Sequence, residues 1–118
     1  MTLHTITVRD RRISTDSRLI AQGGVGSDHL ALDLDADWEG LTVNVVLGSG
    51  SDAMAAEWDG EPMEFPAELA QETGWVPVSI VGMAPDGGVR MTTFKCDRLL
   101  QVAEGGETGE VGIGVAMA

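Results

Sequence analysis

The chain has 118 residues, enough for one domain with its own core, and carries a net charge of −12 at pH 7. This acidic balance argues against a nucleic-acid groove, because neutralising phosphates requires clustered lysine and arginine. The single cysteine, Cys96, excludes an internal disulfide, no apolar run has the length of a membrane span, and residues 1–8 alternate like a strand where a signal peptide would stand.

The first predicted element is a strand over residues 3–8, whose sequence alternates with a period of two. Residues 9–17 are polar and charged and predict a turn or loose hairpin, and residues 18–22 predict a short strand. The arginines of this region are Arg9, Arg11, Arg12 and Arg18. They indicate either a solvated polar turn or a surface that seats the N-terminus on an acidic neighbouring subunit.

A glycine-rich segment follows at residues 22–27 and predicts a flexible connection. It holds a fragment of a glycine-rich pattern, but it lacks both the Gly-Lys-Ser/Thr of a phosphate loop and the helix that follows a dinucleotide fingerprint. We therefore expect no bound nucleotide and no cofactor of any other kind.

Two central strands are predicted within residues 30–47, LALDLDADWEGLTVNVVL. The first half has leucine at every second position, which is typical of a half-buried strand. The second half, residues 42–47, is β-branched and apolar and predicts a more deeply buried strand. Residues 37–40, Asp-Trp-Glu-Gly, form the polar turn between the strands, and we expect this turn to lock the two strands together.

An acidic row runs along the end of the first central strand and its turn. Its members are Asp33, Asp35, Asp37 and Glu39. The row resembles the opening of a calcium loop, but Trp38 stands where the loop needs glycine and Asn44 where it needs glutamate. The row therefore predicts a solvated outer face, with a cation site of another kind as the alternative, and we expect no metal.

The middle of the chain predicts a strand over residues 53–58 that ends on Trp58, followed by an Asp59-Gly60 hairpin turn and a return strand over residues 63–65. Residues 66–72, PAELAQE, predict one short helical turn. Proline at its first position and good helix formers after it favour this, although it spans barely two turns.

The C-terminal half predicts a long apolar strand over residues 75–83. Pro77 places this strand at a sheet edge or beside a bulge, because proline cannot donate a ladder hydrogen bond. Residues 89–95 predict a hairpin partner, and the alternation resumes at residues 99–102. The Gly/Glu-rich residues 103–118 are linker-like until an apolar end, Val111–Ala118.

These elements predict an all-β fold, a single antiparallel β-sandwich of about seven or eight short strands. We expect the sandwich to span residues 1–102 and a C-terminal tail to span residues 103–118.

Residues that could carry catalysis do not form a recognisable pattern. The two histidines, His4 and His29, are far apart in sequence, no nucleophile elbow is present, and no pair of carboxylates stands out among 19 acids. We expect a half-buried Cys96 rather than a nucleophile, no catalytic, cofactor-binding or metal-binding residues, and no enzymatic activity.

The three tryptophans allow either core packing or a platform for sugar stacking. We expect Trp38 and Trp75 to lie in the core. Trp58, flanked by Glu57 and Asp59, is the tryptophan that we expect to be exposed.

Two segments carry a resemblance to a known family. The first is DWEGLT at residues 37–42, followed by an apolar strand. The second is MEFPAEL at residues 63–69, followed by Gly74, VPVSIVG at residues 76–82 and MTT at residues 91–93. The order resembles a small β-sandwich domain at the N-terminus of baseplate upper proteins and tail-fibre proteins in phages and prophages of Gram-positive bacteria. Its structural signature here would be Trp38, Gly40, Leu41, Pro66, Trp75 and Gly82. The family's strand normally ends on an aromatic residue, where this chain has Leu47.

This resemblance implies a non-enzymatic structural or attachment module of a tail, made in the bacterial cytoplasm and located in the virion. It would bind other tail or baseplate proteins through sheet edges and its termini, without nucleic acid or membrane. The alternative is a carbohydrate- or cell-surface-binding β-sandwich, which an acidic groove around Trp58 would favour. Open sheet edges and the apolar end of the chain also predict a homo-oligomer, a trimer before a dimer, with residues 103–118 at the contact or disordered.

Overall fold

The computed structural model describes residues 2–104, which form ten strands in two mixed sheets around one core. The strands are β1 (Thr2–Arg9), β2 (Arg12–Thr15), β3 (Leu19–Ala21), β4 (Asp28–Leu34), β5 (Thr42–Leu47), β6 (Met54–Glu57), β7 (Met63–Glu64), β8 (Gly74–Met83), β9 (Val89–Thr92) and β10 (Cys96–Ala103). Three 3-10 turns lie at Ala36–Trp38, Gly50–Asp52 and Ala67–Ala70. The all-β class predicted from the sequence is confirmed.

One sheet has the order β2-β1-β4-β7 and the other the order β3-β10-β8-β5-β6, with β9 also paired to β8. The predicted wholly antiparallel sandwich of seven or eight strands is wrong in two details, since there are ten strands and the β1–β4 and β10–β3 pairs are parallel. The chain leaves the first sheet after β2, contributes β3 to the second and returns as β4. This excursion lets β4 run beside β1 in the same direction, which a hairpin cannot do.

The core lies between the two sheets and is filled by alternate residues of their strands. Ile6 and Leu30 reach it from the four-stranded sheet, and Val45, Val78 and Leu100 from the six-stranded sheet, all fully buried. Because successive side chains of a strand point to opposite faces, the apolar period of two in the sequence places one face of each sheet in this core.

The turn between β4 and β5 connects the two sheets. The two strands that we expected it to lock together are not neighbours, because β4 pairs with β1 and β7 while β5 pairs with β6 and β8. The 3-10 turn at Ala36–Trp38 therefore spans one end of the sandwich, and Trp38 is buried beneath it.

The hairpin predicted at Asp59-Gly60 is wrong. β7 pairs with β4 of the other sheet, not with β6. Gly60 has φ +96, and the Asp59 carboxylate accepts a hydrogen bond from the Glu61 N–H at 2.9 Å, so the turn directs the chain across the sandwich. Burial of Phe65 in the core holds it there.

The helical turn predicted near residues 66–72 is found as the shorter 3-10 turn at Ala67–Ala70, which begins after Pro66. Pro77 lies inside β8, which has partners on both sides, so the predicted edge position is wrong and the predicted bulge is right. Cys96 pairs with Val78 and Leu100 pairs with Val76, so β10 bulges opposite Pro77, which has no backbone N–H to donate.

The predicted tail, residues 103–118, lies outside the described residues apart from Ala103, the last residue of β10, and Glu104. No helix within residues 2–104 is long and apolar enough to cross a membrane.

Candidate functional site

A cavity of about 530 Å³ opens where the β4–β5 turn crosses the end of the sandwich. We call it the Trp38 cavity. Its walls are formed by Leu34, Asp35, Ala36, Trp38, Glu39, Leu41, Thr42, Val43, Glu57 and Trp58. The 3-10 turn supplies one wall, and β5 with the end of β6 supplies the other, so the cavity depends on the turn crossing from sheet to sheet.

Trp38 is 3% exposed, and the Cε3 and Cζ3 atoms of its ring pack against Gly82 on the inner face of β8. A Cβ built on Gly82 would lie 3.0 Å from Trp38 Cζ3, 3.1 Å from its Cε3 and 2.8 Å from Leu41 Cδ1. Only a residue without a side chain leaves room for this contact. Three predicted signature residues, Trp38, Leu41 and Gly82, therefore meet at one point of the core.

The other three signature residues do not join this contact. Gly40 has φ +81, a left-handed conformation that favours glycine, and ends the turn below Trp38. Pro66 precedes the 3-10 turn at Ala67–Ala70. Trp75 lies on the outer face of the six-stranded sheet.

Two residues that line the cavity each carry a fully buried polar atom without a hydrogen-bond partner among the described residues. The two atoms are Trp38 Nε1, which bears the indole N–H, and Asp35 Oδ1. Asp35 Oδ2 accepts a hydrogen bond from the Asp10 N–H at 3.1 Å, so this carboxylate is fixed by one oxygen and free at the other. Buried polar atoms are satisfied in the great majority of cases, so both atoms call for an explanation.

The predicted acidic row does not share one face. β4 ends at Leu34, and the backbone then turns, so Asp35 and Glu39 line the Trp38 cavity while Asp33 pairs with Arg9 at 3.2 Å outside it. Asp37 is exposed in the turn. Among residues 2–104 no group of three or more His, Cys, Asp or Glu side chains is arranged to hold a metal ion.

The tryptophan predictions are right for Trp38 and wrong for the other two. Trp75, expected in the core, is 39% exposed, and the Arg98 guanidinium stacks over its ring at 5.9 Å. Trp58, expected to be exposed, is half-buried and packs against the core. The alternation of β8 decides this, since Val76, Val78 and Ile80 point inward and so turn Trp75 outward.

The outer face of the six-stranded sheet carries almost no charge. Its outward positions include Leu19, Thr42, Val46, Trp75, Ser79 and Val81. Among the paired outward-facing residues of this sheet, within the described part of the chain, Glu57 alone is charged, and the Arg98 guanidinium is added to the face where it stacks on Trp75. We call this surface the uncharged face.

A buried histidine–aspartate pair escaped the reasoning from sequence. His4 is fully buried, its Nδ1–H donates to the Ser17 carbonyl at 2.6 Å, and one proton joins its Nε2 to Asp28 Oδ1 at 2.8 Å. The Ser27 hydroxyl contacts Asp28 and not the histidine, so the order is not that of a serine hydrolase triad. The pair fixes β1 to the start of β4. The sequence signal that could have revealed this pair was the position of His4 on the inward face of the strand, because a buried polar ring requires hydrogen-bond partners.

The remaining sequence candidates lie on the surface or are structural. Arg11 and Arg12 are exposed at the β1–β2 tip, and Arg18 is exposed before β3. Two hydrogen bonds fix the tip to the rest of the domain. The backbone N–H of Asp10 donates to the Asp35 carboxylate, and the Arg11 carbonyl accepts from the Phe94 N–H at 2.9 Å. Cys96 is half-buried and packs against the core, as expected.

No protein-family profile matches the chain, and no curated protein matches it in sequence. A search of solved structures does find a match, the N-terminal domain of phage TP901-1 ORF48, a baseplate protein. The TM-score is 0.58, and the match covers 85% of this chain and 98% of that chain. The chain has the fold of this phage domain. Identity between the two is 14%, so the likeness concerns the fold, and it confirms the resemblance predicted from the sequence at that level.

Proposed function

We propose that this chain is a non-enzymatic structural module of a phage or prophage tail, located in the virion and bound to other tail or baseplate proteins. The observation that carries the proposal is the fold match to the N-terminal domain of TP901-1 ORF48, which extends over almost all of that domain. The buried His4–Asp28 pair is used for structure, which is in keeping with a module that performs no reaction.

The uncharged face supports this proposal, and we propose it as the attachment surface. Charged residues are depleted at the centres of protein–protein interfaces, since their desolvation is costly. In a chain with a net charge of −12, a large sheet face that carries few charges, Glu57 and the Arg98 guanidinium stacked on Trp75, is therefore a suitable docking surface. The sequence had pointed to sheet edges and termini for attachment, and the face between the edges is the better candidate.

Particle fractionation in the bacterium that carries the gene tests the proposal. The tagged chain should sediment with purified tails after phage induction. Ser79→Lys, on the uncharged face, should reduce this incorporation strongly, because it places an unpaired charge in the contact. Thr5→Lys is the matched control, since Thr5 faces outward on the central strand of the other sheet.

Tails that assemble without the chain would contradict the proposed function. Equal incorporation of Ser79→Lys and Thr5→Lys would contradict the assignment of the docking surface alone. Both variants should keep the melting temperature of the parent chain, which separates loss of docking from loss of folding.

We further propose a homo-oligomer, with a trimer favoured over a dimer. The exposed edges β2, β3, β6 and β7 and the apolar sequence of residues 111–118 support it. Light scattering should give an oligomeric mass for the intact chain and a smaller mass for a chain that ends at Val102. A monomeric mass of the intact chain in both low and high salt would contradict this proposal, because salt should ease the repulsion between acidic copies.

A further inference from the structure

We propose that the β1–β2 tip of one copy, residues 9–12, docks at the Trp38 cavity of a second copy, where the Arg11 guanidinium meets the exposed carboxylates of the cavity. The inference rests on the homo-oligomer proposed above and names its contact. The cavity shares Thr42 and Glu57 with the uncharged face, so a docked tip lies beside that face.

The tip is a local positive charge on an acidic chain. Residues 9–12, Arg-Asp-Arg-Arg, sum to +2, so the rest of the chain sums to −14. Arg9 pairs with Asp33 at 3.2 Å. Arg11 and Arg12 are exposed, and neither has a carboxylate at ion-pair distance among residues 2–104. Because opposite charges attract at short range, the tip is suited to an acidic surface.

The backbone of the tip holds Arg11 in a conformation that favours glycine. Arg9 pairs with Arg12 across the hairpin, and the two residues between them have positive φ, +52 at Asp10 and +64 at Arg11. A two-residue turn of this kind usually has glycine as its second residue. The arginine at this position therefore costs free energy in the fold, and a contact outside its own chain gives that side chain a role.

Phe94 adds an exposed apolar side chain beside the tip. Its ring is 65% exposed, and its N–H donates to the Arg11 carbonyl at 2.9 Å. The preceding residue, Thr93, is buried and joined to Ile80 by two hydrogen bonds, so the backbone that carries the exposed ring is fixed. Arginine and aromatic side chains are enriched in protein–protein interfaces, and this tip presents both together.

The Trp38 cavity has the complementary chemistry. Its lining carries the carboxylates of Asp35, Glu39 and Glu57 and, within the described part of the chain, no Lys or Arg. Glu39 and Glu57 are exposed, so their carboxylates are accessible to a partner. The half-buried Trp58 in the same wall offers a guanidinium an aromatic ring to stack on. A volume of about 530 Å³ leaves room for an arginine side chain.

A second copy is the occupant that these features favour. The tip and the cavity are different surfaces of one chain, and a closed ring such as a trimer requires each copy to offer one surface and receive another. Both surfaces lie at the same end of the sandwich, since the Asp10 N–H donates to the Asp35 carboxylate at 3.1 Å. Two tips meeting each other would bring like charges together, which disfavours a contact between identical surfaces.

Sedimentation equilibrium of the intact chain over a dilution series tests the contact, and Arg11→Gly is the decisive variant. It should weaken self-association at least about tenfold, because it removes the docking charge. Its melting temperature should not fall, because glycine suits φ +64, so unfolding cannot explain the loss. Asp10→Gly is the matched control. It changes the other residue of positive φ, keeps the arginine and should leave association at least as strong.

Exchange of charge between the tip and the cavity identifies the receiving surface. Arg11→Glu and Glu39→Arg should each weaken association, because like charges then meet. The double variant should restore association, since opposite charges meet again and the net charge equals that of the parent. Arg18→Glu reverses an exposed arginine outside the tip and should have far less effect. Phe94→Ser should weaken association, whereas Val25→Ser, at a side chain that is 73% exposed in the β3–β4 connection, should not.

Several outcomes would overturn the inference. If the intact chain is an oligomer and the single variants match it, the contact lies elsewhere and the homo-oligomer stands. If the double variant stays dissociated, the cavity is not the receiving surface. If Arg11→Glu lowers the melting temperature without changing the mass, the tip serves only its own copy. A monomeric intact chain would overturn both the contact and the homo-oligomer, while fractionation of tails still tests the tail proposal separately.

Discussion

The outer faces of the two sheets differ sharply in charge. Outward positions of the four-stranded sheet carry Arg9, Arg12, Asp33 and Glu64, and Arg9 pairs with Asp33 at 3.2 Å. Among the paired outward positions of the six-stranded sheet within the described residues, Glu57 alone is charged, and the Arg98 guanidinium stacks on Trp75 of the same face. Charge on an outer face keeps a sheet soluble and discourages association, whereas its depletion is typical of a surface that another protein covers. The alternation of a strand thus identifies the side that faces the core. The composition of the other side indicates whether that side faces solvent or another protein.

The largest expected effect separates the inner side of the six-stranded sheet from its outer side. Trp38→Ala should lower the free energy of unfolding by about 3–5 kcal/mol, because it leaves a cavity in the core beside Gly82. Trp75→Ala should lower it by a smaller amount, about 1–2 kcal/mol, because the ring is 39% exposed and loses only its contact with Arg98 and its partial burial. Urea denaturation of the two variants measures both, and similar losses would remove the distinction between the two sides.

Gly82→Ala should lower the free energy of unfolding by about 1–3 kcal/mol. The added methyl group would lie 2.8 Å from Leu41 Cδ1 and 3.0 Å from Trp38 Cζ3, which is overpacking. Ser79→Ala, on the outer side of the same strand, is the matched control and should cost no more than about 0.5 kcal/mol. A fully stable Gly82→Ala chain would show that Trp38 does not pack on β8 as described.

The charged face of the four-stranded sheet should contribute little to stability. Arg9→Ala should cost less than about 1 kcal/mol, because both partners of the Arg9–Asp33 pair are more than half exposed. The cost should shrink further in high salt, which screens exposed pairs. Thermal denaturation at two ionic strengths measures this. A loss of several kcal/mol of unfolding free energy at both ionic strengths would show that ion pairs stabilise this face, and it would contradict the comparison between the two faces.

Chelation should have no effect on the melting temperature. The acidic row is divided between the outer face of the four-stranded sheet and the Trp38 cavity, so its carboxylates do not converge on one ion. Calorimetry with and without EDTA checks this. A fall of several degrees in EDTA would require a metal site among these acids.

Reasoning from sequence predicted the strands far better than their pairing. The alternation in residues 3–8, the apolar run before Leu47 and the Pro-led turn after Phe65 all correspond to observed elements. The hairpin predicted at Asp59-Gly60 was wrong because a turn sequence predicts that the chain reverses, but it does not predict which strand the next segment pairs with. Trp75 was expected in the core although the alternation of β8 turns it outward. Trp58 was expected to be exposed because Glu57 and Asp59 flank it, yet charged neighbours in sequence do not decide which way a side chain points.

The candidate site was predicted only in part for the same kind of reason. Trp38, Leu41 and Gly82 belong to the predicted signature, yet no local pattern indicates that Gly82 lies against the indole from another strand. The acids were read as one row, whereas the turn after Leu34 sends Asp35 and Glu39 into the cavity.

The sequence by itself determined the all-β class and the core side of each strand, because hydrophobic alternation is local and every second side chain must leave water. The tertiary structure alone decided which sheet each strand joins, that β4 runs parallel to β1, and that the β4–β5 turn spans the sandwich. These depend on contacts between residues distant in the chain, whose free energies come from packing and backbone pairing that no local pattern encodes. The Trp38 cavity, its unpartnered atoms and the uncharged face arise from those distant contacts.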